Sequence, residues 1–276
     1  MGSPTLRGYA LGVEDEKIRL GGMALANGVL VHGPTAWACA VRLPDGSLKV
    51  ASAPKSLRAS RVERPFLRGV ARVAEAFAIL PAVRRRLPEA RLPFERPAVL
   101  AAMLAAAVTV RLVKESERLG PAAQELLSGL LSLAPASLAL RGSALAAYHG
   151  AEHISIGAYE RPAGPATREH ERCGSHLLGP LLATSAVGGA LAARAPAPIR
   201  GTARLAGSLG ALAVSTEIFS WMVRNPDHAV SRALARPGYE LQHRLATATP
   251  SPEQLEVAEA ALAACLELEH GASHPH

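Results

Sequence analysis

Apolar residues along this chain fall into three regimes, and each predicts a different kind of element. Between residues 21 and 51 the apolar stretches are short and are punctuated by Gly21, Gly22, Gly28 and Gly33, a pattern that suits strands and close backbone approach. Alternation over 36–43 and 47–51 flanks Pro44-Asp45-Gly46, which predicts a hairpin because Gly46 tolerates positive φ. The glycines have neither Gly-x-Gly-x-x-Gly spacing nor a Gly-Lys-Ser/Thr step, so a phosphate loop is excluded. A basic linker over residues 55–72 then leads to a short amphipathic helix over 72–80, placed either on a bilayer surface or in solvent.

The second regime is four long segments with almost no charge: residues 97–110, 126–140, 177–193 and 205–223, the last with Glu217 as its one ionised residue. Each falls at or slightly below the ~17–25 residues of a membrane span, so each suits either a span or a buried helix of a large bundle. The third regime begins at Ser251-Pro252-Glu253, where Ser can cap a helix and Pro suits its first position. Apolar residues at helical spacing up to residue 269 predict an amphipathic helix packed on the rest of the protein. His270, His274 and His276 after it are expected to be a disordered end rather than ligands.

Charge and composition favour spans over buried helices. Aromatic residues make up 4% of the chain, Ala and Leu are abundant, and the mean hydropathy is positive despite a formal charge of +7. Arg84, Arg85, Arg86, Arg91 and Arg96 precede the first segment, and Arg224, Arg232, Arg236 and Arg244 follow the last, as cytoplasmic flanks would. Arg111, Lys114 and Arg118, with Arg194, Arg200 and Arg204, lie on the opposite loops and weaken that asymmetry. An even number of spans places both termini on the cytoplasmic side of the cell (inner) membrane, with the stretch between the second and third spans. No apolar run occupies the N-terminus, so insertion through internal segments is expected rather than a cleaved signal peptide. The basic balance does not indicate nucleic acid: Arg is dispersed at segment flanks and stacking aromatics are few. Cys39, Cys173 and Cys265 are odd in number and far apart, which argues against a disulfide framework.

The candidate chemistry lies in Tyr148-His149-Gly150-Ala151-Glu152-His153. On a helix, His149 and His153 share a face and can close on one ion, with Glu152 beside them as base or ligand; this is the H-x-x-E-H arrangement. After a loop containing Pro162, Gly164 and Pro165, which would end that helix, come His170 and Cys173. Imidazole and thiolate together favour zinc or another borderline-soft divalent metal. Three ligands from His149, His153 and one further residue leave a position for water, with Glu152 as the proton acceptor of a hydrolase. Four ligands, His149, His153, His170 and Cys173, close the ion into a structural, transport or regulatory site. Glu217 would face the bundle interior, where it can ligate the ion, pair with Arg204, or mark a proton or substrate path.

Together, Gly21-Gly22-Met23-Ala24, Gly28-Val29, Gly33-Pro34, Ala40-Val41-Arg42 and Pro44-Asp45-Gly46 resemble the opening of the YqhQ-like family of uncharacterised bacterial membrane proteins. The later Tyr148–His153 motif, Arg172-Cys173-Gly174, Ser215-Thr216-Glu217, Pro237-Gly238, Leu241-Gln242 and Glu256-Val257-Ala258 follow in that family's order, so the resemblance runs from Gly21 to Ala264. It implies a multi-spanning membrane protein described as a metal-dependent enzyme, with no established substrate. The chain departs from the pattern, which has Gln at Met23, Glu at Asn27, Arg at His32, Lys at Ile154 and a small hydroxyl residue at His176. If the Glu replaced by Asn27 is catalytic in the family, this chain would bind metal without turning over substrate, because an amide cannot shuttle a proton.

The resulting expectation is a mainly α, polytopic helical membrane bundle with a small N-terminal β element. Its parts are 1–65 (glycine-rich β element and linker), 66–250 (helical domain with the metal site) and 251–276 (C-terminal helix and tail). A zinc-like ion held by His149, His153, Cys173 and His170, with Glu152 catalytic, is the expected centre, and membrane lipid is the expected partner.

Overall fold

The computed structural model describes residues 17–162, 164 and 167–273. Four strands, β1 (Gly21–Leu25), β2 (Gly28–His32), β3 (Ala36–Arg42) and β4 (Leu48–Pro54), form an antiparallel meander in sequence order. The predicted hairpin is β3–β4, with Arg42 opposite Leu48 and Gly46 at φ +84°. A second, tighter hairpin joins β1 to β2 through Ala26-Asn27, with Leu25 opposite Gly28. Gly28 is required there, because a Cβ would lie 2.1 Å from the Ala40 carbonyl oxygen on β3.

The sheet is covered on both faces, so β2 and β3 are buried along nearly their whole length instead of showing the expected alternation, while β4 stays partly exposed. Helix α1 (Arg68–Arg86) packs Ile79, Leu80 and Val83 against Leu25, Leu30, Trp37, Cys39 and Val41. The helix expected over 72–80 is therefore longer at both ends, and its apolar face meets the sheet rather than a bilayer. On the opposite face, Val29, Val31, Ala38 and Ala40 meet Tyr148 and Ala151 of α5 (Ala144–Glu160) and Val257, Ala258 and Ala261 of α9 (Pro252–Ser273). The start of α9 is a reciprocal capping box: Gln254 N donates to Ser251 Oγ at 3.3 Å, and Ser251 N donates to Gln254 Oε1 at 2.9 Å. His270 sits in the last turns of α9 rather than in a disordered end, while His274 and His276 lie outside the described residues. The three cysteines are free.

The remaining helices are α2 (Pro97–Glu115), α3 (Pro121–Ser132), α4 (Ala134–Leu140), α6 (Leu178–Ala193), α7 (Arg200–Arg224) and α8 (Ala229–Leu241). Pro97 and Pro121 open α2 and α3 at the first turn, where a missing N–H is tolerated. Four stretches are long and apolar enough to cross a membrane: Pro97–Glu115, Pro121–Leu140, Gly174–Ala193 and Ala197–Arg224. Their apolar side chains are largely outside the protein's own core: Leu104, Leu112 and Leu205 are 63–64% exposed. Where α6 and α7 cross, Gly188 and Gly207 bring backbone against backbone, each virtual Cβ 3.0–3.2 Å from the other's carbonyl oxygen. Thr184 Oγ1 adds a 3.0 Å hydrogen bond to the Ala211 carbonyl of α7, the small-residue and hydroxyl packing characteristic of helices in lipid.

Candidate metal centre

Helix α5 places His149 and His153 one turn apart, with ring centroids 4.3 Å from each other. Each imidazole is fixed from behind. His149 Nδ1 donates to the Ala246 carbonyl at 2.9 Å, and His153 Nδ1 donates to the Arg168 carbonyl at 2.5 Å. A carbonyl can only accept, so Nδ1 carries the proton in both rings and each Nε2 keeps its lone pair. This is the arrangement in which metal-ligating histidines are held.

Cys173 brings the third donor. Its Sγ lies 3.6 Å from His149 Nε2, and the His149, His153 and Cys173 ligand atoms all lie within 4.8 Å of one another. Nitrogen and sulfur ligands on a tetrahedral zinc ion are separated by about 3.3–3.8 Å, so the donor types suit such an ion and the Cys173–His149 separation matches it. Burial pushes the Cys173 thiol up and drives His153 down to about 2, so the thiol and the His153 imidazole are neutral here.

Glu152 completes the cluster. Its Oε2 is 3.6 Å from His153 Nε2 and 3.9 Å from His149 Nε2. Among the described residues its carboxylate accepts no hydrogen bond, and desolvation pushes it up to about 8 against the opposing influence of His149. Strand β1 closes the space above it: a Cβ on Gly22 would lie 2.2 Å from Glu152 Oε1, so only glycine lets the sheet edge pass. On the other side of α5, a Cβ on Gly150 would lie 2.2 Å from the Ala248 carbonyl. That close approach brings up the segment whose Ala246 carbonyl orients His149.

The structure brings together His149, Glu152, His153 and Cys173 and separates two other expected members. His170 is next to the cluster, its ring centroid 5.6 Å from that of His153, but both its nitrogens are occupied. Nε2 donates to Glu160 Oε2 at 3.2 Å and Nδ1 accepts from Arg172 N at 3.3 Å. Glu217 is elsewhere, and among the described residues it bonds neither the candidate ligands nor Arg204. It accepts from Phe66 N at 3.0 Å and Arg68 Nε at 2.9 Å, and it pairs with the rest of the Arg68 guanidinium. One residue back, Thr216 fills the space where a Gly69 Cβ would fall, 2.1 Å from its Oγ1. Ser215-Thr216-Glu217 is thus the joint between α7 and α1.

Sequence reasoning did not single out Gln242 as a site residue. Its fully buried amide clips the Cys173 loop from both sides: Oε1 accepts from His170 N at 2.8 Å, and Nε2 donates to Ser175 Oγ at 2.7 Å. Gln242 opens a π-helical turn, Gln242–Ala246, whose far end supplies the carbonyl for His149. A glutamine followed by an ordinary-looking turn carries no metal signature, and only its place after Pro237-Gly238 marked it.

The positions that depart from the YqhQ-like pattern near the N-terminus are not at the centre. Asn27 clasps the β1–β2 turn, donating to the Glu89 carbonyl at 3.0 Å and accepting from Arg91 N at 2.9 Å. Met23 packs with the α1 side of the sheet, and His32 Nδ1 faces Lys55 Nζ at 3.0 Å. Residues 143–268 match a family described as "Protein of unknown function (DUF1385)", a match that covers α5 through most of α9 and every member of the candidate centre. No curated protein and no solved structure matches the chain.

Proposed function

We propose that this chain is a polytopic protein of the cell membrane, of YqhQ-like affiliation, in which His149, His153 and Cys173 hold a zinc-like ion near the cytoplasmic face for metal-dependent hydrolysis. The observation that carries the reading is the convergence of two imidazole Nε2 atoms and one thiol, with each Nδ1 tied to a backbone carbonyl. Such anchoring serves no purpose for a surface histidine, and it presents two lone pairs to one point. With His170 held by Glu160, three ligands remain and one coordination position is left open.

A bound ion of this kind supplies a Lewis acid that lowers the pKa of water. The chain's own residues do the rest. Glu152, within 4 Å of both ligand imidazoles and shielded by Gly22, is placed to take a proton at its carboxylate and later return it to a leaving group. Gln242 keeps the Cys173 loop against α5. Support for the membrane setting comes from the exposed apolar faces of the four long helical stretches and from the pairing of three of their charges, Lys114 with Glu125 at 3.2 Å and Glu217 with Arg68.

The same distances favour a second reading, in which Glu152 is the fourth ligand and the centre is closed, serving a structural, transport or regulatory role. Cobalt substitution separates the two. With an open position, the visible spectrum shifts on adding acetohydroxamate, and Glu152→Gln keeps the metal. A four-ligand spectrum that ignores hydroxamate, with metal lost in Glu152→Gln, would replace hydrolysis by the closed centre.

A further inference from the structure

A cavity of about 650 Å³ opens where α7 ends, between its last turns, α8 and the loop that carries His170 and His176. Its walls are mainly apolar, with Phe219, Met222 and Val223 from the final turns of the fourth long helical stretch and Tyr239 from α8. Its rim is basic. Arg232 and Arg236 stand one helical turn apart on one face of α8, and among the described residues neither is paired with a carboxylate; Arg232 donates to the Asp227 carbonyl. The acidic residues of the rim are already neutralised: Glu171 faces Arg161 at 3.3 Å, and Glu169 faces Arg168 at 3.1 Å and His243 at 2.9 Å.

We infer that this cavity is a binding site for an anionic glycerophospholipid, with the lipid phosphate between Arg232 and Arg236 and the first acyl carbons against Phe219, Met222 and Val223. The inference rests on the membrane placement proposed above, and it names a ligand class for the face of the protein that borders the metal centre. Three features converge on this occupant. Two guanidiniums with no carboxylate partner among the described residues suit a phosphate oxygen fork. The apolar wall is continuous with a helix long enough to span, so an acyl chain entering the cavity need not leave a hydrophobic environment. The site's depth, at the end of that helix, is where lipid headgroups lie. A free phosphate ion would use the arginines but leave the apolar wall unused, and a neutral lipid would leave the charge uncompensated. The inner wall of the cavity is His170, whose ring neighbours that of His153.

The test uses full-length protein in a neutral maltoside detergent, titrated with dioleoylphosphatidylglycerol or dioleoylphosphatidylcholine and followed by native mass spectrometry. Phosphatidylglycerol should bind at least tenfold more tightly, excess inorganic phosphate should not displace it, and Arg232→Gln/Arg236→Gln should abolish the preference. Both arginines are exposed, so the double variant should keep the wild-type melting temperature and metal content. Arg194→Gln/Arg200→Gln, at the far ends of α6 and α7, should leave the preference intact. Equal binding of the two lipids, a preference that survives loss of both arginines, or displacement by phosphate would overturn the inference. Carbonate extraction of native membranes separates this failure from that of the parent reading. Release into the soluble fraction overturns the membrane placement, whereas retention without lipid discrimination overturns only the lipid site.

Discussion

The sheet and the long helices use the same residue types in opposite ways. In the sheet, Leu25, Val29 and Val41 are wholly buried, held between α1 on one face and α5 with α9 on the other. In α2 and α7, Leu104 and Leu205 are 64% and 63% exposed, and Leu100, Val108, Leu112 and Leu209 are exposed beside them. Burying a leucine is worth about 1.5–3 kcal/mol, so a row of exposed ones implies either a second solvent or a missing partner. The comparison separates a cap whose apolar residues are covered internally from long helices whose apolar faces are left exposed, with the candidate centre where the two meet.

Substitutions of one kind in both regions should therefore give different results. The largest effect is expected in the cap: Trp37→Ala, at 1% exposure, should cost about 3–5 kcal/mol and lower the melting temperature sharply, whereas Leu104→Ala should cost under ~1 kcal/mol in detergent. Equal losses at the two positions would mean that the bundle's outer face packs against protein. Next in size is a charge on that face. Leu104→Arg should oppose membrane insertion by ~3 kcal/mol in a glycosylation-reporter assay, whereas Val50→Arg, on the exposed part of β4, should change stability by no more than ~0.5 kcal/mol. Insertion unaffected by Leu104→Arg would remove α2 from the set of spans.

Within the cap, a pH effect of up to about 3 kcal/mol should come from His32. Burial, and then Lys55, lower His32 from 6.5 to about 4. Between those values the unfolded chain binds a proton that the folded chain does not, so the contribution is complete above pH 6.5 and is lost as pH falls toward 4. His32→Gln should flatten that part of the stability curve, and an unchanged slope would assign the loss to other groups. The smallest effect belongs to the joint. Glu217→Gln should leave metal content unchanged but speed tryptic cleavage near Arg64 and Arg68, since the carboxylate holds Arg68 and the Phe66 amide. Loss of metal in that variant would return Glu217 to the site.

Local pattern made the helices and the four clustered residues of the candidate centre readable. His149 and His153 are visible because a helix converts spacing four into one face, and the four long apolar stretches because length and absence of charge are properties of each segment alone. What sequence could not supply was pairing across distance. Glu217 finds Arg68, 149 residues away, rather than the candidate centre or Arg204, because α7 crosses α1 at Gly69. His170 has the right chemistry for a ligand and the right place in the chain, yet Glu160 at the end of α5 takes its Nε2 first. The glycines of the N-terminal stretch signalled close approach without saying to what; Gly22 turns out to clear Glu152. For α1, amphipathic spacing was legible, but whether lipid or a sheet would cover its apolar face was not, since both demand the same pattern.

The central claim is that the cap and bundle meet at an ion held by His149, His153 and Cys173. It is tested most directly by elemental analysis of the full-length protein, purified in detergent without chelators and loaded with one equivalent of zinc. The account predicts one ion per chain in the wild type, a value near zero in His149→Ala, His153→Ala and Cys173→Ala, and no change in His270→Ala, which lies on the remote end of α9. A wild-type protein that retains no zinc after dialysis, or a His149→Ala variant that keeps its ion, would contradict it.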